Sequence, residues 1–149
     1  MVTTLDAVLT RCRSSPPNIL ATLQQVQAAF GFVPLEHVPR IAAHLGVTDA
    51  DVRGVISFYH DLRTSPPGRH IIRYCLGDSC RAKHTERALT ALTRRLRCDF
   101  GETTTDGRFT LTKVYCLGHC ALSPTMMIGE ETYAQLTPRS VITALQNHP

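Results

Sequence analysis

HIIRYCLGDSC, residues 70–80, and RFTLTKVYCLGHC, residues 108–120, carry the same device twice. Each is a run rich in β-branched and aromatic residues that reaches a cysteine, then a Leu-Gly step, then a second cysteine. The spacing is C-x4-C for Cys75 and Cys80 and C-x3-C for Cys116 and Cys120. Both runs read as strands. If the strands are neighbours in one sheet, both loops leave it at the same end and four thiolates converge.

The flanking sequence supplies the rest of a fold. KHTERALTALTRRLRC (83–98) predicts a helix with Ala88, Leu89, Leu92 and Leu96 inward. GETTTDG (101–107) is a turn. TMMIGEETYAQL (125–136) reads as a hairpin, with Met127-Ile128 and Tyr133-Ala134 about a Gly-Glu-Glu turn. In TPRSVITALQNH (137–148), Thr137 caps a closing helix and Pro138 takes its first position. The order strand, helix, strand, strand, strand, helix predicts a thioredoxin-like α/β sandwich over residues 70–149.

Upstream, the period is helical. Ile19, Leu20, Leu23, Val26, Ala29 and Phe30 share one face, between a cap at Asn18 and a stop at Gly31. A second helix places Leu35, Val38, Ile41, Ala42 and Leu45 together, with Pro39 in its first turn and Gly46 at its end. A third is capped at Thr48 and presents Val52, Val55, Ile56 and Tyr59. Residues 1–64 are thus expected to form a three-helix bundle, and RTSPPGRH (63–70) the boundary between the parts.

Composition narrows the function classes. A chain of 149 residues with 43% hydrophobic residues has enough core to fold without disulfides. The leading stretch lacks the basic n-region of a signal peptide, and no run approaches the length of a membrane span. The expected compartment is therefore cytoplasmic and reducing, where clustered cysteines serve metals more than disulfides. The net charge of +4 is concentrated between residues 81 and 97, which hold six basic residues and one acid, Glu86. That stretch reads either as a solvated helix face or as a docking surface for an acidic partner. Without interleaved aromatics or a recognition motif, nucleic acid is not an expected partner.

Four soft sulfur ligands select zinc or an iron–sulfur cluster. Structural zinc favours tight C-x2-C knuckles, whereas a [2Fe–2S] rhomb has two irons that each take two thiolates, which suits these wider loops. Spacing therefore favours iron and sulfide, and a zinc-stabilised interaction module remains the reading of another class. Gly77 and Gly118 are expected to let backbone N–H groups turn toward sulfur, and the helix after Cys80 to offer its positive end. No C-x-x-C occurs, so dithiol exchange is not supported. Cys12 and Cys98 fit neither pair and read as small buried residues. His119, inside the second loop, is an exposed histidine, a titratable neighbour or a substitute ligand. His44, His60, His70 and His84 show no ligand spacing, and no catalytic triad, P-loop or G-x-G-x-x-G stands out.

These residues resemble a known family. The two cysteine loops, with YCLGHCALSP around the second, are similar to the thioredoxin-like [2Fe–2S] ferredoxins, among them the small peripheral-arm subunit of respiratory complex I. The resemblance extends upstream through GFVPLEHVPRIAAHLGVTDADVRGVISFYHDL and covers about residues 18 to 147. It implies cluster ligands at Cys75, Cys80, Cys116 and Cys120 and an electron-transfer role beside an FMN- and NADH-binding subunit, with no catalysis by this chain alone. VYCLGHCALSPTMMIGEETYAQLTP looks most like the gamma subunit of NAD-dependent formate dehydrogenases, in which FMN, NAD and the molybdenum or tungsten cofactor would sit in partner subunits. The equivalent diaphorase subunit of an NAD-reducing hydrogenase, or of complex I, is the competing implication.

Overall fold

The computed structural model describes residues 4–12 and 18–149. The leading stretch read above against a signal peptide therefore lies partly outside the described residues. The chain divides into two compact units, Met1–Pro66 and Pro67–Pro149.

The first unit is helical. Helix α1 spans Leu5–Arg11, α2 Ile19–Phe30, α3 Val38–Leu45 and α4 Asp49–Phe58, with a 3-10 turn at Leu35–His37. The three expected helices are present with the expected caps. The Asn18 side chain accepts from the Ala21 N–H, and Gly31 and Gly46 adopt the left-handed conformation that ends α2 and α3. Thr48 and Asp51 form a reciprocal capping box on α4.

Helix α1 was not expected. Seven residues are too few for a helix to persist unaided. It stands because Leu5, Val8 and Leu9 are buried in the unit's core and Thr4 caps it. Two side chains assigned to apolar faces lie elsewhere: Leu35 falls in the 3-10 turn and Tyr59 one residue past α4, and both are exposed. The returning chain is tied to α2 by Gln27, whose amide donates to the Asp61 carbonyl and accepts from the Arg63 N–H, both at 2.8 Å.

The second unit is a four-stranded mixed sheet with helices. Strand β1 is His70–Cys75, β2 Phe109–Val114, β3 Met126–Ile128 and β4 Glu131–Tyr133. The order is β2-β1-β3-β4, with β1 and β2 parallel and the other pairings antiparallel. Between β1 and β2 come α5 (Asp78–Ala82) and α6 (Thr85–Leu96), and α7 (Pro138–Gln146) closes the chain and packs on α6. A parallel pair requires such a crossover. The core holds Ile72, Tyr74, Leu92, Leu111, Met126, Ile128 and Val141, all shielded from solvent. Tyr74 anchors the crossover: its hydroxyl donates to the Thr85 carbonyl at 2.7 Å and accepts from the Thr85 hydroxyl at 3.0 Å. The expected α/β architecture, helices followed by a thioredoxin-like sheet, is therefore the observed one.

Candidate metal centre

Strands β1 and β2 run side by side in register, with Cys75 opposite Val114. Their following loops therefore leave the sheet at the same end. Cys75 is the last residue of β1, and Cys116 follows the end of β2 by two positions. Two cross-links continue the sheet past Cys75: the Leu76 N–H donates to the Val114 carbonyl at 2.7 Å, and the Cys75 N–H to the Thr125 carbonyl at 3.2 Å.

The two second cysteines sit in helical turns. Cys80 lies inside α5, and Cys120 opens a 3-10 turn, Cys120–Leu122. The expectation that a helix begins after Cys80 and aims its positive end at the site is corrected. The next helix, α6, starts at Thr85, and its first turn engages Tyr74. Gly118 behaves as expected, with φ +80 and its N–H directed at the Cys116 sulfur at 3.3 Å. Gly77 also turns its N–H to a sulfur, that of Cys75, but from an ordinary φ of −66. It is needed for proximity: a Cβ there would strike the Tyr115 carbonyl oxygen and stand 3.6 Å from the Cys75 sulfur.

The sulfurs fall into two pairs. Cys116 and Cys120 stand 3.6 Å apart. Two thiolates on one tetrahedral ion, each about 2.3 Å from it, would be roughly 3.8 Å apart. The thiols of Cys75 and Cys80 hydrogen-bond to each other. The pairs are neighbours: the Ser79 hydroxyl from the first loop bonds Cys120 in the second. Among the described residues, no group of three or more Cys, His, Asp or Glu side chains closes on a single point. Two pairs of thiols suit the two irons of a rhombic cluster, each of which takes two.

The pairs differ in exposure and in electrostatics. Cys75 and Cys80 are buried, at 3% and 2% exposure, whereas Cys116 and Cys120 are exposed. Burial pushes the Cys75 thiol up, with the N–H groups of Gly77 and Leu117 pulling against it. Burial pushes Cys80 up too, but the Thr125 backbone, the Cys75 thiol and the hydroxyls of Thr125 and Ser123 outweigh it, so its pKa is lowered. Hydrogen bonding to Cys116, and the charge of that neighbour, raise Cys120. The hydroxyls of Ser79, Ser123 and Thr125 were missed from the sequence, although Ser79 stands inside the first cysteine loop and the other two follow the second.

The remaining candidates lie apart. Cys12 packs against the helical core and Cys98 in the core of the second unit, with both thiols raised by burial. His119 is half-buried, and its Nδ1 has no hydrogen-bond partner among the described residues.

A family model for the thioredoxin-like [2Fe–2S] ferredoxin matches residues 5–148. The chain belongs to the thioredoxin-like [2Fe–2S] ferredoxin family. Its relatives include the NADP-reducing hydrogenase subunit HndA of Solidesulfovibrio fructosivorans, 36% identical over 124 residues, covering 83% of this chain and 72% of the relative. One subunit of the NADH-quinone oxidoreductase of Escherichia coli (strain K12) is 40% identical over 129 residues, covering 87% and 78%. Among solved structures, the air-oxidised crystal structure of an NAD+-reducing [NiFe]-hydrogenase superposes with a TM-score of 0.71 at 17% identity, which speaks for the fold. That superposition covers 89% of this chain and only 23% of the hydrogenase chain.

The cofactor of this ferredoxin family is a [2Fe–2S] cluster, and the paired donor set fits it. The zinc module gives way to this reading. Among the described residues no helix is long and apolar enough to cross a membrane.

Proposed function

We propose that this ferredoxin is an electron-transfer subunit that holds one [2Fe–2S] cluster through Cys75, Cys80, Cys116 and Cys120. It works beside an FMN- and NAD(H)-binding subunit of a larger oxidoreductase. The observation that carries the reading is the pair of cysteine loops at one end of two parallel strands, each loop with two sulfurs near each other. When bound, such a cluster accepts and returns electrons singly, the currency a flavin needs to divide a hydride. The protein's share is to bind and to tune. Cys75 and Cys80 grip from the buried side. Cys116 and Cys120 grip from the solvent side, where exposed Tyr115 and Leu122 flank them in sequence and offer apolar surface to a redox partner. The N–H of Gly118 and the hydroxyls of Ser79 and Thr125 donate to sulfur, which favours the more negative state.

For the parent complex, the relatives support an NAD(P)-linked hydrogenase or an NADH–quinone oxidoreductase better than a formate dehydrogenase. The formate reading keeps one support, the likeness of residues 114–138 to that gamma subunit. Affinity purification of the tagged chain from its own cells, followed by mass spectrometry, decides: a co-purifying hydrogenase or quinone-reductase subunit supports the first reading, a molybdenum or tungsten subunit the second. The two compact units are proposed to act as separate domains, one for assembly and one for the cluster.

The direct test is an anaerobic preparation with iron, acid-labile sulfide and zinc quantified. About two irons and two sulfides per chain, with an S = 1/2 signal after dithionite, is the expected result. In Cys116→Ser, iron content should fall or the spectrum change. A full complement with an unaltered spectrum would remove Cys116 from the ligand set.

A further inference from the structure

A cavity of about 340 Å³ opens in the second unit between the C-terminal ends of α6 and α7 and the loop entering β2. It borders Phe109, the first residue of β2, and so lies at the end of the strand opposite the cysteine loops. Its polar lining is dominated by Arg95, Arg97 and Arg108, with Thr105 and Asp106 beside them.

Arginine at a helix C-terminus has an ordinary explanation, compensation of the helix dipole. Charge arithmetic tests whether that explanation is enough. Two helix ends contribute roughly half a negative charge each, about −1 together. Asp106 adds one more negative charge, and its carboxylate is already engaged by the Thr104 hydroxyl and the Arg108 backbone N–H. Against three guanidinium charges, a surplus of about one positive charge remains. Among the described residues, none of the three arginines joins an ion pair.

Two further observations are local to the cavity. The Nε of Arg108 is buried without a hydrogen-bond partner among the described residues, while its guanidinium lies 5.0 Å over the Phe109 ring and donates to the His148 carbonyl. Arg108 therefore lines the cavity with donor capacity that the described residues do not use up. Arg97 is held at φ 54, in the left-handed region that a non-glycine residue enters at a cost.

We propose that this cavity is a binding site for a compact, multiply charged oxyanion of the phosphate class. Planar guanidinium forks match phosphate oxygens two at a time, and the volume suits a small ligand. The site is independent of the cluster and gives the protein a second, anion-dependent input.

The test is isothermal titration of the whole chain with pyrophosphate at near-physiological salt. Saturable binding to one site is expected, weakened at least tenfold in Arg95→Gln and in Arg108→Gln. Arg94→Gln is the control, since Arg94 shares helix α6 but does not line the cavity. It should bind as the parent does. Should Arg108→Gln fail to fold, Arg97→Gln replaces it. Absence of saturable binding, or equal weakening by Arg94→Gln and Arg95→Gln, overturns the proposal and leaves a diffuse basic surface.

Discussion

Cys80 is the sulfur most thoroughly supplied with donors. The backbone and hydroxyl of Thr125 and the hydroxyl of Ser123 reach it from the far side of the second loop, with the Thr125 oxygen 3.8 Å away. A donor to a thiolate stabilises negative charge, so it favours whichever oxidation state carries more of it. Thr125→Val keeps the shape of a side chain that is 1% exposed and removes the hydroxyl. The reduction potential should fall by an amount on the order of tens of millivolts, with iron content unchanged. A redox titration followed by EPR measures it, and a potential equal to or above that of the parent would show that the hydroxyl does not act on the centre.

At the scale of elements, the joint between β1 and α6 rests on Tyr74. Burial first, with Thr85 opposing, pushes its phenol up to about 12 from an ordinary value of 10.0. Its folded pKa therefore lies above its unfolded one. The resulting stability is complete below about pH 10 and is lost as pH rises from there to about 12, because only the unfolded chain ionises in that window. That rise corresponds to roughly 2–3 kcal/mol across the window. Tyr74→Phe should cost about 1 kcal/mol at neutral pH, through the lost bonds to Thr85, and flatten the alkaline limb. Denaturant unfolding at a series of pH values reads both, and an undiminished slope between pH 10 and 12 would assign the titration to another group. Elements of this kind were readable where one local signal decides them. Thr48, Thr137, Asn18, Gly31 and Gly46 all mark the helix ends where the sequence puts them. Helix α1, the one-turn α5 and the exposure of Tyr59 were not readable, since each depends on what the rest of the fold places beside it. The same divide runs through the site. The cysteine loops announce themselves by spacing, whereas Thr125 meets Cys80 only because β3 pairs antiparallel with β1.

For the whole molecule, the two hydrophobic cores share no residue. One gathers Leu23, Val26, Ile41 and Val52, the other Ile72, Leu111, Met126 and Val141. All four cysteines of the candidate centre, and the donors to them, belong to the second unit. A fragment of residues 67–149 should therefore fold and take up iron and sulfide with the EPR line shape of the full chain. A fragment that fails to reconstitute would show that the helical unit is needed to build the centre and does not merely accompany it. The full chain, in turn, should show no formate- or NAD-linked turnover by itself.

The unequal burial of the two cysteine pairs also gives the site a vulnerable side. Water-borne attackers such as peroxide, chelators and alkylating agents meet Cys116 and Cys120 first, while the sheet and α5 shield Cys75 and Cys80. Damage would then begin at one face and proceed inward. In the cluster-free chain, iodoacetamide should modify the outer two thiols well before the inner two, in a time course that mass spectrometry resolves. A partner protein seated over that face would act as armour as well as an electrical contact, and oxygen tolerance would become a property of the assembled complex.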